Sequence, residues 1–127
     1  MLRGTPLWPT SEQLDGAILF FETSEQGLPP DFVKRELRSF AAMGLLRQLS
    51  GILFARPGGA VPPDTFPQYD EAILGVLAGE EGLTHVPVVT NMDFGHTDPM
   101  FVLPYGVVAE IDCDRQTLSI LENAVTD

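Results

Sequence analysis

The amino-acid sequence predicts an α/β fold in which a short parallel sheet with crossover helices is followed by a C-terminal antiparallel hairpin. Up to residue 90, short apolar segments alternate with segments of helical periodicity, an order typical of parallel α/β units with right-handed crossovers. Beyond that point, extended segments separated by short turns indicate antiparallel pairing. The 127 residues have the length of one ordinary domain, so we expect residues 1–127 to form a single domain.

The first strand and the first long helix are indicated by their apolar patterns. Residues 15–21 end in a continuous apolar run, and we therefore expect a strand that is buried on both faces. From Val33 to Ala41 the apolar residues recur at helical spacing, with charged residues between them. We expect Asp31 to be the N-cap of this helix and Gly44 to close its C-terminal end.

The same alternation continues through the middle of the chain. Residues 51–55 predict a second strand, and a long loop rich in proline and glycine is expected from Arg56 to Pro67. A second helical stripe runs from Tyr69 to Leu77. Residues 86–90 predict a third strand, and Pro87 places this segment at the beginning of a strand or at the edge of the sheet.

Three extended segments are expected after the third strand. They are residues 101–103, 107–111 and 117–121. The second and third are separated by a turn at residues 112–115, and this spacing predicts that they pair as a hairpin.

The acidic composition limits the classes of partner. Seven Lys and Arg residues against eighteen Asp and Glu residues give a formal net charge of −11. A nucleic-acid surface needs clustered basic residues and an anionic membrane attracts them, so we expect neither as a partner. No apolar segment approaches the roughly 20 residues that a membrane-spanning helix requires.

Cysteine usage bears on metal binding and on location. Cys113 is the single cysteine, which excludes a disulfide within the chain and argues against a cysteine-based metal site. It lies between two aspartates in the predicted turn, and their charge disfavours a reactive thiolate. A chain of this kind is typical of a reducing compartment, and we predict a cytoplasmic location.

The densest group of polar residues, 93–100, follows the third predicted strand. In α/β proteins the carboxyl ends of strands commonly carry the active site. His96 is the imidazole of this group, and Gly95 permits a sharp backbone turn beside it. One interpretation is a loop in which His96 bonds a backbone group; the other is an imidazole with a catalytic role.

A metal site made of Asp93, His96 and Asp98 is a further alternative. Metal sites usually recruit a second histidine, or another carboxylate at helical spacing, and His85 stands alone before the third strand. We therefore predict neither a metal ion nor a cofactor for this chain.

Glu22 follows the first predicted strand directly and has apolar neighbours. A carboxylate in such surroundings needs a partner, because an unpaired charge is costly where water is excluded. In a catalytic triad a carboxylate of this kind orients the imidazole and stabilises its protonated form, so Glu22 and His96 are the candidate pair. The alternative, that Glu22 faces solvent in a turn, is equally compatible with the sequence.

A triad also requires a nucleophile, and the chain lacks a recognisable one. None of its serines lies in the Gly-x-Ser-x-Gly elbow that presents a catalytic serine; they are Ser11, Ser24, Ser39, Ser50 and Ser119. A triad built with Glu22 and His96 therefore lacks its serine within this sequence.

Several segments resemble the C-terminal domain of the LD-carboxypeptidase family of serine peptidases, and they occur in the family's order. Residues 4–9 and 15–22 resemble the beginning of that domain, and residues 51–53 resemble its second strand. Residues 94–100 and 103–107 resemble the catalytic-histidine segment. The His-Thr-x-Pro-Met form of this segment is most similar to the microcin C immunity branch of the family.

This resemblance implies a Ser-His-Glu triad that is divided between two domains. Glu22 would orient His96, and His96 would be the general base toward a serine in an N-terminal domain that the sequence does not include. The substrate would be a peptide with a free carboxylate, either a muramoyl peptide or a peptidyl-nucleotide. We expect the chain alone to be inactive, and the sequence leaves open whether it forms a homodimer.

Two other functional hypotheses remain. In the first, the chain is a non-catalytic α/β binding or regulatory domain in which Glu22 and His96 form a structural pair. In the second, His96 carries a phosphoryl group, as in a phosphohistidine swivelling domain. The neighbouring carboxylates of Asp93 and Asp98 would repel phosphate, which argues against this hypothesis.

Overall fold

The computed structural model describes residues 5–59 and 61–125. Gly4, in the first resembling segment, and Ala60, in the predicted loop, lie outside the described residues. The helices are α1 (Ser11–Leu14), α2 (Pro30–Ala42) and α3 (Phe66–Leu74), and α3 continues directly as a π-helix (Gly75–Glu80). The strands are β1 (Ile18–Phe21), β2 (Gly51–Ala55), β3 (Val88–Met92), β4 (Ala109–Asp112) and β5 (Thr117–Ile120).

The strands form one parallel sheet and one antiparallel hairpin, which confirms the predicted fold class. The parallel sheet has the order β1-β2-β3, so that β2 lies in its centre. Phe20 of β1 pairs with Leu53 of β2, and Leu53 pairs in turn with Val89 of β3. In the hairpin, Ile111 of β4 is opposite Leu118 of β5. Because the three parallel strands run in one direction, their carboxyl ends meet at a single edge of the sheet.

Alternate residues of β2 face two different hydrophobic layers. Ile52 and Phe54 belong to a core that includes the apolar stripes of α2 and α3, and both side chains are fully buried. Leu53 and Ala55 face the other side, against Phe94 and the apolar side of the β4–β5 hairpin. Helices therefore cover one face of the sheet and the hairpin covers the other, which explains why β2 is buried throughout.

Helix α2 begins and ends with recognisable signals, although one of them differs from the prediction. The prediction that Asp31 is the N-cap was wrong, because the N-cap is Pro29 and Pro30 occupies the first helical position. Asp31 lies in the first turn, where its negative charge interacts favourably with the helix dipole. At the other end, Gly44 adopts a φ of +72°. Its N–H bonds the carbonyl of Ala41, and the next N–H bonds that of Phe40, so Gly44 closes the helix as predicted.

Several predicted boundaries are displaced for local reasons. β1 begins at Ile18 rather than at residue 15, because Asp15 closes α1 and Gly16 turns with a φ of +72°. Residues 101–103 do not form a strand, since the N–H of Phe101 bonds the carbonyl of Asp93 instead of a neighbouring strand.

The middle of the chain also differs in detail from the prediction. The loop expected up to residue 67 is shorter, because Pro63–Thr65 forms a 3-10 turn and Phe66 begins α3. β3 begins at Val88, one residue after Pro87, so the proline precedes the strand. The helices of residues 5–59 and 61–125 include none that is long and apolar enough to cross a membrane.

Candidate functional site

Glu22 and His96 are in direct contact at the carboxyl edge of the parallel sheet. Nδ1 of His96 lies 2.7 Å from Oε1 and 2.8 Å from Oε2 of Glu22. The backbone N–H of His96 donates a further hydrogen bond of 2.8 Å to Oε2 of the same carboxylate. The glutamate therefore fixes both the ring and the backbone of a residue that lies 74 positions further along the chain.

The loop that carries His96 is anchored immediately before the histidine. Phe94 is buried and packs edge-on against Phe20 of β1, with 5.8 Å between ring centroids. Gly95 then turns with a φ of +75°, and a Cβ at this position would overlap the carboxylate of Glu22. The sequence interpretation of Gly95 is therefore confirmed, and the structure adds that the close approach of Glu22 also requires glycine here.

A second carboxylate contacts the opposite ring nitrogen of His96. Nε2 of His96 lies 3.0 Å from Oε2 of Glu25, which belongs to the same loop as Glu22. The imidazole is thus held between two glutamates, one on each ring nitrogen. Sequence reasoning did not single out Glu25, although its position three residues after Glu22 in a short strand-end loop was a signal that could have identified it.

The segment after β2 supports the loops on both sides of the site. The guanidinium of Arg56 lies 2.7 Å from Oδ1 of Asp93 and donates a hydrogen bond of 3.4 Å to the carbonyl of Asp98, on either side of His96. A Cβ at Gly58 would stand 2.5 Å from the carbonyl oxygen of His96. From the sequence, Arg56 could be assigned only to the start of a loop. Its role was not apparent, because its partners Asp93 and Asp98 follow a different strand.

The electrostatic consequence of these contacts is a more basic imidazole. The hydrogen bond and the negative charge of Glu22 raise the pKa of His96 above its ordinary value, and the charge of Glu25 contributes in the same direction. Partial removal from water opposes this shift. Half of the His96 side chain remains exposed, so a group outside this chain can approach the ring.

The residues proposed for a metal site do not converge on one point. Asp93 is paired with Arg56, and the contacts of His96 are with Glu22 and Glu25. Within residues 5–59 and 61–125 there is no group of three or more His, Cys, Asp or Glu side chains with the geometry to hold a metal ion.

Comparison with known proteins identifies the family of this chain. The sequence model of the LD-carboxypeptidase C-terminal domain matches residues 1–111. A protein of Synechocystis sp. named "Putative carboxypeptidase slr1534" is 37% identical over 93 residues, which are 72% of this chain and 30% of that protein. The microcin C7 self-immunity protein MccF of Escherichia coli is 28% identical over 121 residues, 93% of this chain and 33% of MccF.

Comparison of the structure with solved structures finds proteins of the same family. The crystal structure of an MccF-like protein from Streptococcus pneumoniae in complex with AMP superimposes with a TM-score of 0.75 and 28% identity, covering 90% of this chain and 31% of that one. The chain thus spans about a third of the length of the relatives it matches. The family match, these similarities and the mixed α/β architecture together show that this chain belongs to the LD-carboxypeptidase C-terminal domain family.

Proposed function

We propose that this chain supplies the glutamate and the histidine of a Ser-His-Glu triad in a serine carboxypeptidase that hydrolyses amide bonds. The observation that carries the proposal is the hydrogen-bonded contact between Nδ1 of His96 and the carboxylate of Glu22. In a triad, the carboxylate keeps the imidazole proton on the nitrogen that faces it, so that the other nitrogen can accept a proton from the nucleophile. Here that nitrogen is Nε2, which contacts Glu25 and belongs to a side chain that is half exposed.

The nucleophile of the proposed triad comes from a second domain. None of the serines of this chain lies in a nucleophile elbow, and the chain spans about a third of the length of its relatives. In this proposal a serine of an N-terminal domain approaches Nε2 of His96, and the donors that stabilise the oxyanion belong to that domain as well. The chain alone then lacks useful hydrolytic activity.

The proposed substrate is a peptide, or a peptide conjugate, with a free carboxylate near the scissile amide. The names of the relatives support two possible functional classes within the family: carboxypeptidases and microcin C7 self-immunity proteins. These are the first and the second branch of the family. The AMP bound to the MccF-like protein of Streptococcus pneumoniae favours a peptidyl-nucleotide for the second branch. The His-Thr-x-Pro-Met form at His96 adds support for that branch, and a muramoyl peptide is the alternative.

The test is hydrolysis by the whole protein that carries this domain, with Glu22→Gln and His96→Ala as variants. In triad enzymes the loss of the orienting carboxylate lowers kcat by roughly 10⁴, and loss of the base is at least as costly, so both variants should lose useful turnover. His85→Ala and Glu71→Gln are matched controls, since both residues are exposed and lie outside the site. Turnover like that of the wild type in either site variant would refute the triad.

The competing function is a binding or regulatory domain in which Glu22 and His96 form only a structural pair. It predicts that the whole protein hydrolyses neither substrate class, while both site variants lose stability. The half-exposed ring of His96 favours the catalytic proposal, because a purely structural histidine has no need of an accessible face.

A further inference from the structure

We propose that Glu25 is a proton-dependent cap on Nε2 of His96, which closes over the general base while the imidazole is protonated and leaves it when the ring becomes neutral. The inference rests on the triad proposed above and goes beyond it, since it assigns a function to a residue outside the triad. Its geometric basis is the 3.0 Å contact between Oε2 of Glu25 and Nε2 of His96.

The two glutamates contact different nitrogens of the imidazole, and the two contacts depend differently on its protonation. Both oxygens of Glu22 lie within 2.8 Å of Nδ1, and the carboxylate also accepts the backbone N–H of His96. A carboxylate accepts hydrogen bonds and cannot donate one, so the Nδ1 position keeps its proton in both ionisation states of the ring. A second proton, on Nε2, is present only in the imidazolium.

The contact with Glu25 therefore depends on protonation. In the imidazolium the ring is positively charged, and it attracts the anionic oxygen of Glu25 that lies 3.0 Å from Nε2. In the neutral ring with its proton on Nδ1, Nε2 presents a lone pair to an anionic oxygen, and the contact becomes repulsive. Loss of one proton thus opens the cap and creates the free base in the same step.

Glu25 has room to move away from the ring. Its side chain is 65% exposed, whereas that of Glu22 is 30% exposed. Glu25 also lines an open pocket of about 420 Å³, together with Pro30, Val61 and Tyr69. The cap can therefore turn into this space without displacing the buried core.

The backbone around Glu25 is in close contact with neighbouring segments of the chain. A Cβ at Gly59 would overlap the carbonyl of Glu25, which shows how closely the segment after β2 packs on this loop. Tyr69 donates a hydrogen bond of 2.7 Å to the carbonyl of Leu28, three residues further on. The loop thus holds Glu25 within reach of His96.

The charged groups around the ring come from three strand-end loops. Glu22 and Glu25 face it from the loop after β1, Arg56 lies in the segment after β2, and Asp93 and Asp98 flank His96 in its own loop. Arg56 is bound to Asp93 and to the Asp98 carbonyl. The response to protonation is therefore assigned to Glu25 and not to these neighbours.

The closing experiment begins with the 127-residue chain itself. Nitrogen NMR of the His96 ring is followed through a pH titration in the wild type, Glu25→Gln, Glu25→Ala and Glu71→Gln. Removal of Glu25 should lower the pH at which His96 loses its proton, and the neutral ring should keep its proton on Nδ1 in every variant. Glu71→Gln should titrate like the wild type. The alanine variant is included because a glutamine amide can make a new hydrogen bond to Nε2.

The second measurement is the pH profile of kcat/KM in the whole protein. Without Glu25, the acidic limb should move to lower pH. Activity on that limb should rise roughly 1.5- to 5-fold, which is the change in the protonation equilibrium expected when one exposed ion pair is lost. Activity on the alkaline plateau should not change, because the cap is already open there. A structural role would instead lower activity at every pH.

The outcomes distinguish this inference from the proposed function. If both Glu25 variants titrate like the wild type and their rate profiles overlay it, the cap is refuted while the triad stands. If His96→Ala retains activity, the triad itself is refuted. A neutral ring with its proton on Nε2 would also contradict the cap, since Glu25 could then remain bound after deprotonation.

Discussion

The carboxylate of Glu22 receives two hydrogen bonds from one residue, His96: one from the ring nitrogen Nδ1 and one from the backbone N–H. The two residues follow the outer strands of the three-stranded sheet, β1 and β3, and reach each other across the end of the central strand. Because a backbone and a ring contact act together, the position of the imidazole is coupled to the position of the loop that carries it.

The stability of the domain should depend on the protonation of His96. The folded-state pKa of His96 is raised by the hydrogen bond and charge of Glu22, above its ordinary value of about 6.5. The protonated ring therefore contributes stability that is fully present below that ordinary value and is lost as the pH rises through the raised pKa. Urea denaturation across this interval should show a falling unfolding free energy in the wild type. In His96→Gln the slope should be reduced, and an equal slope in both proteins would contradict the assignment.

Gly95→Ala should disrupt the contact between Glu22 and His96. The substitution forces alanine to adopt a φ of +75° and brings its Cβ into the carboxylate of Glu22. The matched control is Gly82→Ala, where φ is +69° but a Cβ would meet open space. We expect Gly82→Ala to cost about 1–2 kcal/mol through backbone strain alone.

The Gly95→Ala variant should be less stable than the Gly82→Ala variant, as measured by chemical denaturation. It should also lose the upward shift in the pKa of His96, as measured by NMR titration, because the carboxylate can no longer approach the ring. Equal stability of the two variants, together with an unchanged titration of His96, would show that the loop accommodates the methyl group.

Arg56→Ala should loosen the loop that carries His96 without greatly changing global stability. The guanidinium contacts the side chain of Asp93 and the carbonyl of Asp98, and a partly exposed ion pair contributes about 1 kcal/mol or less. Hydrogen exchange of residues 93–98 should therefore become faster. Arg47→Ala removes a comparable ion pair, with Glu81, on another part of the surface and should leave exchange in this loop unchanged. The same exchange rates in both variants would argue against this role of Arg56.

Tyr69→Phe should destabilise the loop between β1 and α2. The hydroxyl of Tyr69 donates a hydrogen bond to the carbonyl of Leu28, and the side chain is buried. Loss of the donor leaves a poorly hydrated carbonyl unpaired, so we expect a loss of about 1–2 kcal/mol in chemical denaturation. Tyr105→Phe is the control, because Tyr105 is exposed and its variant should unfold like the wild type. The prediction fails if the two variants have the same stability.

Much of the fold could be predicted from local patterns. The apolar run before Glu22 and the buried segment Gly51–Ala55 are long enough to identify two parallel strands. Gly44 was recognisable as a helix end because a left-handed residue there is a local requirement. The start of α2 was misplaced at Asp31, since Pro30 can occupy the first helical turn and moves the N-cap back to Pro29. Such errors arise where two local signals compete within a few residues.

The candidate site was predictable to a lesser extent. Glu22 and His96 could be chosen because each follows a strand of a parallel sheet, and the carboxyl ends of such strands share one edge. The sequence left open whether Glu22 faces solvent or the imidazole. Their contact settles this structural question, while the catalytic role of the pair stays a prediction for the experiments above.

By itself, the sequence determined the fold class and the lack of a recognisable nucleophile elbow, because these follow from short-range pattern and residue type. It made Glu22 and His96 candidates, and the tertiary structure decided that they are in contact. Only the tertiary structure showed that Glu25 contacts Nε2 of His96 and that Arg56 pairs with Asp93 in the same loop. It also showed that Gly58 packs closely against the carbonyl of His96. Those contacts join loops that follow three different strands. Their distances are fixed by how the sheet aligns its strand ends, and no local pattern in the sequence contains that information.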